Sequence, residues 1–288
     1  MRAALFPGQG IDAKLVLQAL ESRDPLTLQA SEILGFDLVR RVEQIARRPR
    51  GVIPTSVAQP AILVAGLISF RKAVERGNTF NFILGHSLGE YTALVAAEAI
   101  SFRHGLALVT TRGKVMEKAA ARSSGGMAAV LGLDLERVEA IASVHGVMVA
   151  NDNSPRQVVV SGERDALAKT AAAVRDEGGR SVLLPVEGAF HSEAMLPAAD
   201  ALARSLFTIE IRSPAIPVVS NVSARPYRAP GEVRRLLEHQ LTGRVRFREC
   251  LLHLASCGVT EFVDLGPGEV VGRLARATVE TALEALDA

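Results

Sequence analysis

The sequence predicts an α/β protein in which a small β-α-β-β-α-β domain interrupts a larger α/β domain. Three observations carry that expectation. Short apolar strands at Ala3–Phe6 and Phe80–Leu84 each end in a glycine-rich turn followed by a helix. From Met127 the pattern changes to strand, helix, strand, strand, helix, strand, the split ferredoxin-like order. The change begins at Ser123-Ser124-Gly125-Gly126 and ends at Gly188-Ala189-Phe190-His191-Ser192, two breaks that bound an insertion. The expected division is residues 1–125 and 194–288 for the large domain and 126–193 for the small one.

Taken in order, Ala3–Phe6 is stopped by Pro7-Gly8-Gln9-Gly10, and a helix follows. The Gly8-x-Gly10-x-x-Ala13 spacing imitates a dinucleotide-binding loop. That reading needs a second strand ending in an acid about 20 residues on, and Asp24–Asp37 reads as helical or irregular instead. A simpler use is that the flanking glycines let the main chain bring the Gln9 N–H close to a reacting group. Pro54–Phe70 reads as a turn and then an apolar helix from Gln59, with Pro60 in its first turn. The strand before Gly85 leads to a helix through Leu94, Val95 and Ala97, and a longer helix spans Phe102–Ala120. In the insertion the expected elements are strand 127–131, helix 135–144, strand 147–150, a turn at 151–155, strand 157–161, helix 165–177 and strand 181–186. Beyond it come helix 194–206, strand 216–220, helices at 231–241 and around Cys250, and a last strand, Glu261–Leu265, ended by Gly266-Pro267-Gly268.

Composition narrows the function classes. Lys plus Arg number 33 and Asp plus Glu 31, a balance that argues against a general nucleic-acid binder. Local basic clusters stand at Arg40-Arg41, Arg47-Arg48-x-Arg50 and Arg244-x-Arg246-x-Arg248, where an acidic partner could dock. Cys250 and Cys257 form neither a disulfide framework nor a metal set, and no metal site is expected. With no uninterrupted run of ~18 apolar residues and no signal-peptide core, the expectation is a cytoplasmic protein without membrane association.

The chemistry centres on Gly85-His86-Ser87-Leu88-Gly89. Gly-x-Ser-x-Gly between a strand and a helix is the nucleophile-elbow pattern, which lifts a serine hydroxyl out of the sheet edge. The first helical amides, beginning at Leu88, are then free to stabilise an oxyanion. The competing reading makes Ser87 an ordinary helix cap. A serine nucleophile needs a base, and the chain has six histidines. His86 adjoins Ser87 and would point away from it. His104, His145, His239 and His253 fall in helices or at their ends. His191 stands at the junction where the insertion rejoins the large domain, and a cleft between domains is the usual place for a site; spacing alone leaves its role open.

A run of motifs then resembles one family from end to end. Phe6-Pro7-Gly8-Gln9-Gly10, Gly85-His86-Ser87-Leu88-Gly89-Glu90-Tyr91, Arg112-Gly113 with Met116, Gly126–Val130 and Asn151-x-Asn153-x-Pro155-x-Gln157 are followed by Ala189-Phe190-His191-Ser192, Ser220-Asn221-Val222, Gln240 and Gly266-Pro267-Gly268. This order is similar to that of the malonyl-CoA:acyl carrier protein transacylases, including the free-standing acyltransferases that load polyketide synthases in trans. One departure is Ile11-Asp12, where the family usually has Ser-Gln, in a stretch that also looks short.

The resemblance implies an α/β-hydrolase-like large domain with an inserted ferredoxin-like small domain. It implies that Ser87 takes the malonyl group, that His191 is base and acid, and that Gln9 and Leu88 supply the oxyanion-hole amides. It further implies that a main-chain carbonyl near Gln240 orients His191, so that Asp264 and Glu193 serve as salt-bridge or solvent-exposed residues. Arg112 would pair with the free malonyl carboxylate, a role a planar guanidinium suits, while Met116, Phe190 and His86 would complete the substrate site. The Phe190 ring is similar to the malonyl-selective signature, where a smaller residue goes with methylmalonyl. Implied partners are malonyl-CoA and a phosphopantetheinylated acyl carrier protein of fatty acid or polyketide synthesis, with no bound cofactor and a monomeric enzyme. The Arg244–Arg248 cluster is the candidate carrier contact. The alternatives are an acyl hydrolase on the same scaffold, a transferase for another extender unit, and a carrier-binding module without chemistry.

Overall fold

Residues 3–6 are all apolar and all fully buried, because β1 (Arg2–Phe6) lies inside a parallel sheet rather than at its edge. The computed structural model describes residues 1–48, 52–122, 124–186 and 188–284; Arg50 and Ser123, singled out above, lie outside them. After β1 come α1 (Ala13–Ala19), α2 (Pro25–Leu34) and α3 (Leu38–Ala46). Each is capped by an aspartate, Asp12, Asp24 or Asp37, whose carboxylate accepts an amide of the first turn. The stretch from Pro25 is therefore helical, and no second strand serves the Gly8-x-Gly10 loop.

Helix α4 (Thr55–Glu75) starts at Thr55, earlier than expected, which puts Pro60 inside the helix rather than in its first turn. It is long and apolar enough to cross a membrane, yet 72% of its most apolar window is buried inside the protein, as befits a core helix. Strand β2 (Phe82–Gly85) feeds α5 (Leu88–Ala96), and α6 (Phe102–Ala120) has the bounds the sequence predicts.

The insertion consists of β3 (Gly125–Leu131), α7 (Leu135–His145), β4 (Met148–Ser154), β5 (Gln157–Glu163), α8 (Arg164–Asp176) and β6 (Arg180–Leu183). These strands form an antiparallel sheet in the order β4-β5-β3-β6. Alternation along it decides what each face covers. Ala128, Val130, Val158 and Val160 pack under α7 and α8, whereas Met127, Ala129 and Val159 face the main core. The expected turn at 151–155 is instead strand as far as Ser154, with only Pro155 and Arg156 turning. Asn-Asp-Asn-Ser-Pro has turn chemistry, but tertiary partners hold it extended. Asp152 N–H donates to Val245 O at 2.9 Å, and Val245 N–H donates to Ala150 O at 2.8 Å.

A single 3-10 turn at Glu193–Met195 leads into α9 (Leu196–Phe207), β7 (Val218–Val219), α10 (Pro230–Gln240), α11 (Phe247–Ser256), β8 (Glu261–Asp264) and α12 (Val270–Glu284). Strands β6 and β7 are shorter than expected, and α3 and α12 have no counterpart in the sequence reading. The large sheet is parallel, in the order β7-β2-β1-β8, and Phe6 pairs with Gly85 at its carboxyl end. Among the described residues Asp264 makes no salt bridge; its carboxylate accepts the Gly266 and Gly272 amides at 3.0 and 2.8 Å, while Glu193 is solvent-exposed as expected.

The Arg244–Arg248 cluster is not a free basic surface. Arg248 Nε donates to both oxygens of the fully buried Asp152 at 3.0 Å, Arg244 bridges to Glu139 at 2.5 Å, and Arg246 pairs with Glu249. Two of the three arginines thus fasten the inserted sheet and its helix to the large domain.

Candidate active site

Strand β2 ends at Gly85 and α5 begins at Leu88, so only His86 and Ser87 make the turn. Ser87 adopts φ 51° and ψ −105°, a backbone state that non-glycine residues seldom occupy and that accumulates at functional sites. The turn closes only because two residues lack side chains. A Cβ on Gly85 would lie 1.9 Å from the Gly89 carbonyl carbon, and one on Gly89 would lie 2.2 Å from Phe6 O.

Side chains from elsewhere in the chain hold this conformation. Ser87 N–H donates to Asn221 Oδ1 at 2.7 Å, and Asn221 Nδ2 donates to Gly85 O at 2.6 Å. Gln240 Nε2 donates to Ser87 O at 3.0 Å. Leu88, fully buried, is the first residue of α5, so its N–H has no helical acceptor.

Ser87 Oγ lies 2.8 Å from His191 Nε2, and His191 Nδ1 lies 2.8 Å from Gln240 O. A carbonyl can only accept, so Nδ1 carries the proton and Nε2 is left to accept from the serine hydroxyl. His191 is buried, and desolvation first, then the neighbouring Arg112 charge, lower its pKa from 6.5 to about 3. The imidazole is therefore neutral at pH 7, the state a base requires. Of the other histidines, His86 turns away from Ser87 and bonds Asn153 Oδ1 at 2.7 Å.

Arg112, from the middle of α6, is fully buried. Its Nη2 donates to Ser87 Oγ at 3.0 Å and to Gln240 Oε1 at 3.2 Å, and its guanidinium lies 5.3 Å from the Tyr91 ring centroid. Its Nε and Nη1 have no hydrogen-bond partner among the described residues. Unpaired donors on a buried cation are costly, and they are the complement of a carboxylate.

Ser87 and His191 open on a cavity of about 240 Å³ that Gln9, His86, Met116 and Phe190 also line. Phe190, with Gln9, borders a further chamber of about 1100 Å³ reaching toward Pro54 and Ala120. A groove of about 680 Å³ between Ser22 and Glu43 touches none of these residues. All nine residues singled out from the sequence thus fall at one place: Ser87, His191, Arg112 and Gln240 in one hydrogen-bonded cluster, Gln9, His86, Met116 and Phe190 on the cavity wall, and Leu88 beneath the elbow.

Sequence reasoning gave no role to Glu90, Asn221, Tyr227, Asn153 or Gln59. Glu90 did leave a signal, as the single acid in an otherwise apolar helix start, Leu88–Ala96. Asn221 left only its place in the Ser220-Asn221-Val222 motif; in a short loop just after β7, it finds Ser87 only through the fold. Gln59, buried on α4, donates to Met116 Sδ at 3.2 Å and reaches Gln9 Oε1 at 3.3 Å, steadying two wall residues.

The model of the acyl transferase domain family matches residues 16–288. The chain is 42% identical over 284 residues to the polyketide biosynthesis protein ThaF of Burkholderia thailandensis, an alignment covering 96% of this chain and 24% of that protein. It is 36% identical over 284 residues to the malonyl CoA-acyl carrier protein transacylase of Bacillus subtilis, covering 95% of this chain and 89% of the relative. Among solved structures it is similar, with TM-score 0.88 and 34% identity, to a malonyl-transacylase in complex with its type II polyketide synthase acyl-carrier protein, over 97% of this chain and 93% of that one.

Proposed function

Because this chain belongs to the acyl transferase family, among its malonyl-CoA:acyl carrier protein transacylases, we propose that it moves malonyl from malonyl-CoA to a carrier-protein thiol through an ester on Ser87. One observation carries the choice of acyl group. The fully buried guanidinium of Arg112 touches the Ser87 hydroxyl, and among the described residues nothing partners its Nε and Nη1. A malonyl ester on Ser87 places its free carboxylate carbon ~4 Å from Oγ, within reach of those donors.

In the first half-reaction Ser87 Oγ attacks the thioester carbon while its proton passes to His191 Nε2. The carbonyl oxygen becomes an oxyanion, which the Leu88 and Gln9 amides receive. As the C–S bond breaks, the imidazolium returns the proton to the departing sulfur of coenzyme A. In the second half-reaction the phosphopantetheine thiol gives its proton to His191 and attacks the ester carbon. Ser87 Oγ then leaves and recovers the proton. Protons and electron pairs balance within the dyad and the two substrates. The Gln240 carbonyl holds the Nδ1–H tautomer throughout, as the 2.8 Å contact supports.

The neutral alternative, hydrolysis, gives Arg112 no task, and nothing in the site favours it. The test loads the enzyme with malonyl-CoA, removes the excess, and divides the sample between buffer and holo-acyl carrier protein. Malonyl is expected to move to the carrier far faster than it appears in water. Equal rates would replace the transferase with a hydrolase.

A further inference from the structure

The polar groups behind the dyad converge on one carboxylate, and we propose that Glu90 is a positioning residue that holds Ser87, His191 and Arg112 in register through Gln240 and Asn221. The inference rests on the acyl-transfer reading above and adds a residue to it. Glu90 is fully buried on the first turn of α5 and touches none of the reacting atoms. Its Oε2 accepts from Gln240 Nε2 at 2.5 Å, and its Oε1 accepts from Tyr227 OH and from Asn221 N–H at 3.3 Å. Every one of these partners donates, so the pocket is built for the ionised form. Burial opposes that form and leaves the carboxyl pKa raised overall, although the same donors act against the rise.

The consequence lies in Gln240. Its amide spends both N–H groups on Glu90 and Ser87 O, which turns its Oε1 toward Arg112 Nη2. A flipped amide would set its NH₂ against the guanidinium and its oxygen against a carboxylate and a carbonyl. Glu90 thus fixes the orientation of the group that aims Arg112, on the residue whose main-chain oxygen also orients His191. Through Asn221 the same carboxylate braces the side chain that grips the Ser87 amide. It is also a buried anion one amide away from a buried cation, the arrangement that lets Arg112 stay charged in an empty site.

The test is a double-mutant cycle on the intact protein with Glu90→Gln and Gln240→Met. It reads the saturated rate of Ser87 malonylation by intact mass, corrected for the folded fraction by circular dichroism. Glu90→Gln is expected to slow loading by about tenfold or more. The two losses should not multiply: the double variant should fall well short of their product, because what Glu90 exerts through Gln240 is already lost there, and only its hold on Asn221 remains. Losses that multiply, or a Glu90→Gln rate per folded molecule within about twofold of wild type, would overturn the proposal; the second result would leave Glu90 a purely structural residue. If Glu90→Gln does not accumulate folded, Glu90→Asp, which keeps the carboxylate but shortens its reach, enters the same cycle under the same criterion. Ser87→Ala runs alongside. Loading that persists there would sink the acyl-transfer reading itself, whereas loss of loading there with additive Glu90 effects sinks only the inference.

Discussion

Replacing Arg112 with Met should slow malonyl loading sharply and spare acetyl loading. The guanidinium is fully buried, its Nη2 lies 3.0 Å from Ser87 Oγ, and its Nε and Nη1 have no partner among the described residues. In the variant the malonyl carboxylate would enter the same desolvated space with no cation to meet it. Breaking a buried ion pair from one side costs ~3–5 kcal/mol, which at ~1.4 kcal/mol per tenfold is a loss of roughly 10²- to 10³-fold or more in malonyl loading. Acetyl-CoA brings no charge and forfeits no such contact, so its loading should change by less than about tenfold. Arg112→Lys should fall between, since a compact ammonium keeps the charge but not the planar fork. The assay is the initial rate of adduct formation with each thioester, followed by intact mass. Malonyl and acetyl rates that fall together would show that Arg112 supports the fold or the serine and does not choose the acyl group.

Four further outcomes follow from the same geometry. The pKa of His191 lies at about 3, below its ordinary 6.5, so the base stays neutral as pH falls through 6.5; kcat/KM for malonyl-CoA, which reports the free enzyme, should show no acid limb near 6.5, and a limb there would place the ring in a far wetter site. The sign for stability is the reverse. Below pH 6.5 the unfolded chain binds a proton the native ring refuses until about 3, so this group costs native stability within that window and nothing above it; His191→Asn should therefore gain in melting temperature relative to wild type between pH 7 and 5. Gly89→Ala would force a Cβ to within 2.2 Å of Phe6 O, and it should cost ~3 kcal/mol or more with loss of activity, which a thermal melt would register; an unchanged melt would mean that the elbow is not closed against β1. Phe190→Ser removes a ring that lines both the cavity and the larger chamber. It should shift the malonyl to methylmalonyl ratio by ~1–3 kcal/mol, roughly 10- to 100-fold, and equal ratios in competition assays would discard Phe190 as the discriminator.

The parts of this protein that were legible in the sequence are those where local pattern and chemistry coincide. The elbow is an example: an apolar strand, two glycines and an apolar helix leave one geometry open, and Ser87 adopts it. The β-α-β-β-α-β order was readable because strand and helix periods alternate cleanly between Met127 and Leu183. The 151–154 segment misled because its residues have turn propensity, while Val245 and Arg248, distant in sequence, make it a strand. At Arg244–Arg248 the charge pattern likewise did not reveal that Asp152 and Glu139 face it. The polar network behind the dyad was the least readable part. Glu90 meets Tyr227 and Gln240 across more than 130 residues of chain, and no spacing rule connects them. Resemblance picked out the residues at the reacting atoms, while the groups that aim them became visible only in three dimensions.

The central claim is that Ser87 takes the malonyl group and His191 activates it. The most direct measurement is the intact mass of wild type, Ser87→Ala and His191→Ala after brief mixing with malonyl-CoA, before and after adding holo-acyl carrier protein. The account expects a single malonyl adduct on wild type that disappears as the carrier gains the same mass, no adduct on Ser87→Ala, and severely slowed loading on His191→Ala. A malonyl adduct of equal yield on Ser87→Ala, or carrier loading that proceeds without any enzyme adduct, would contradict it.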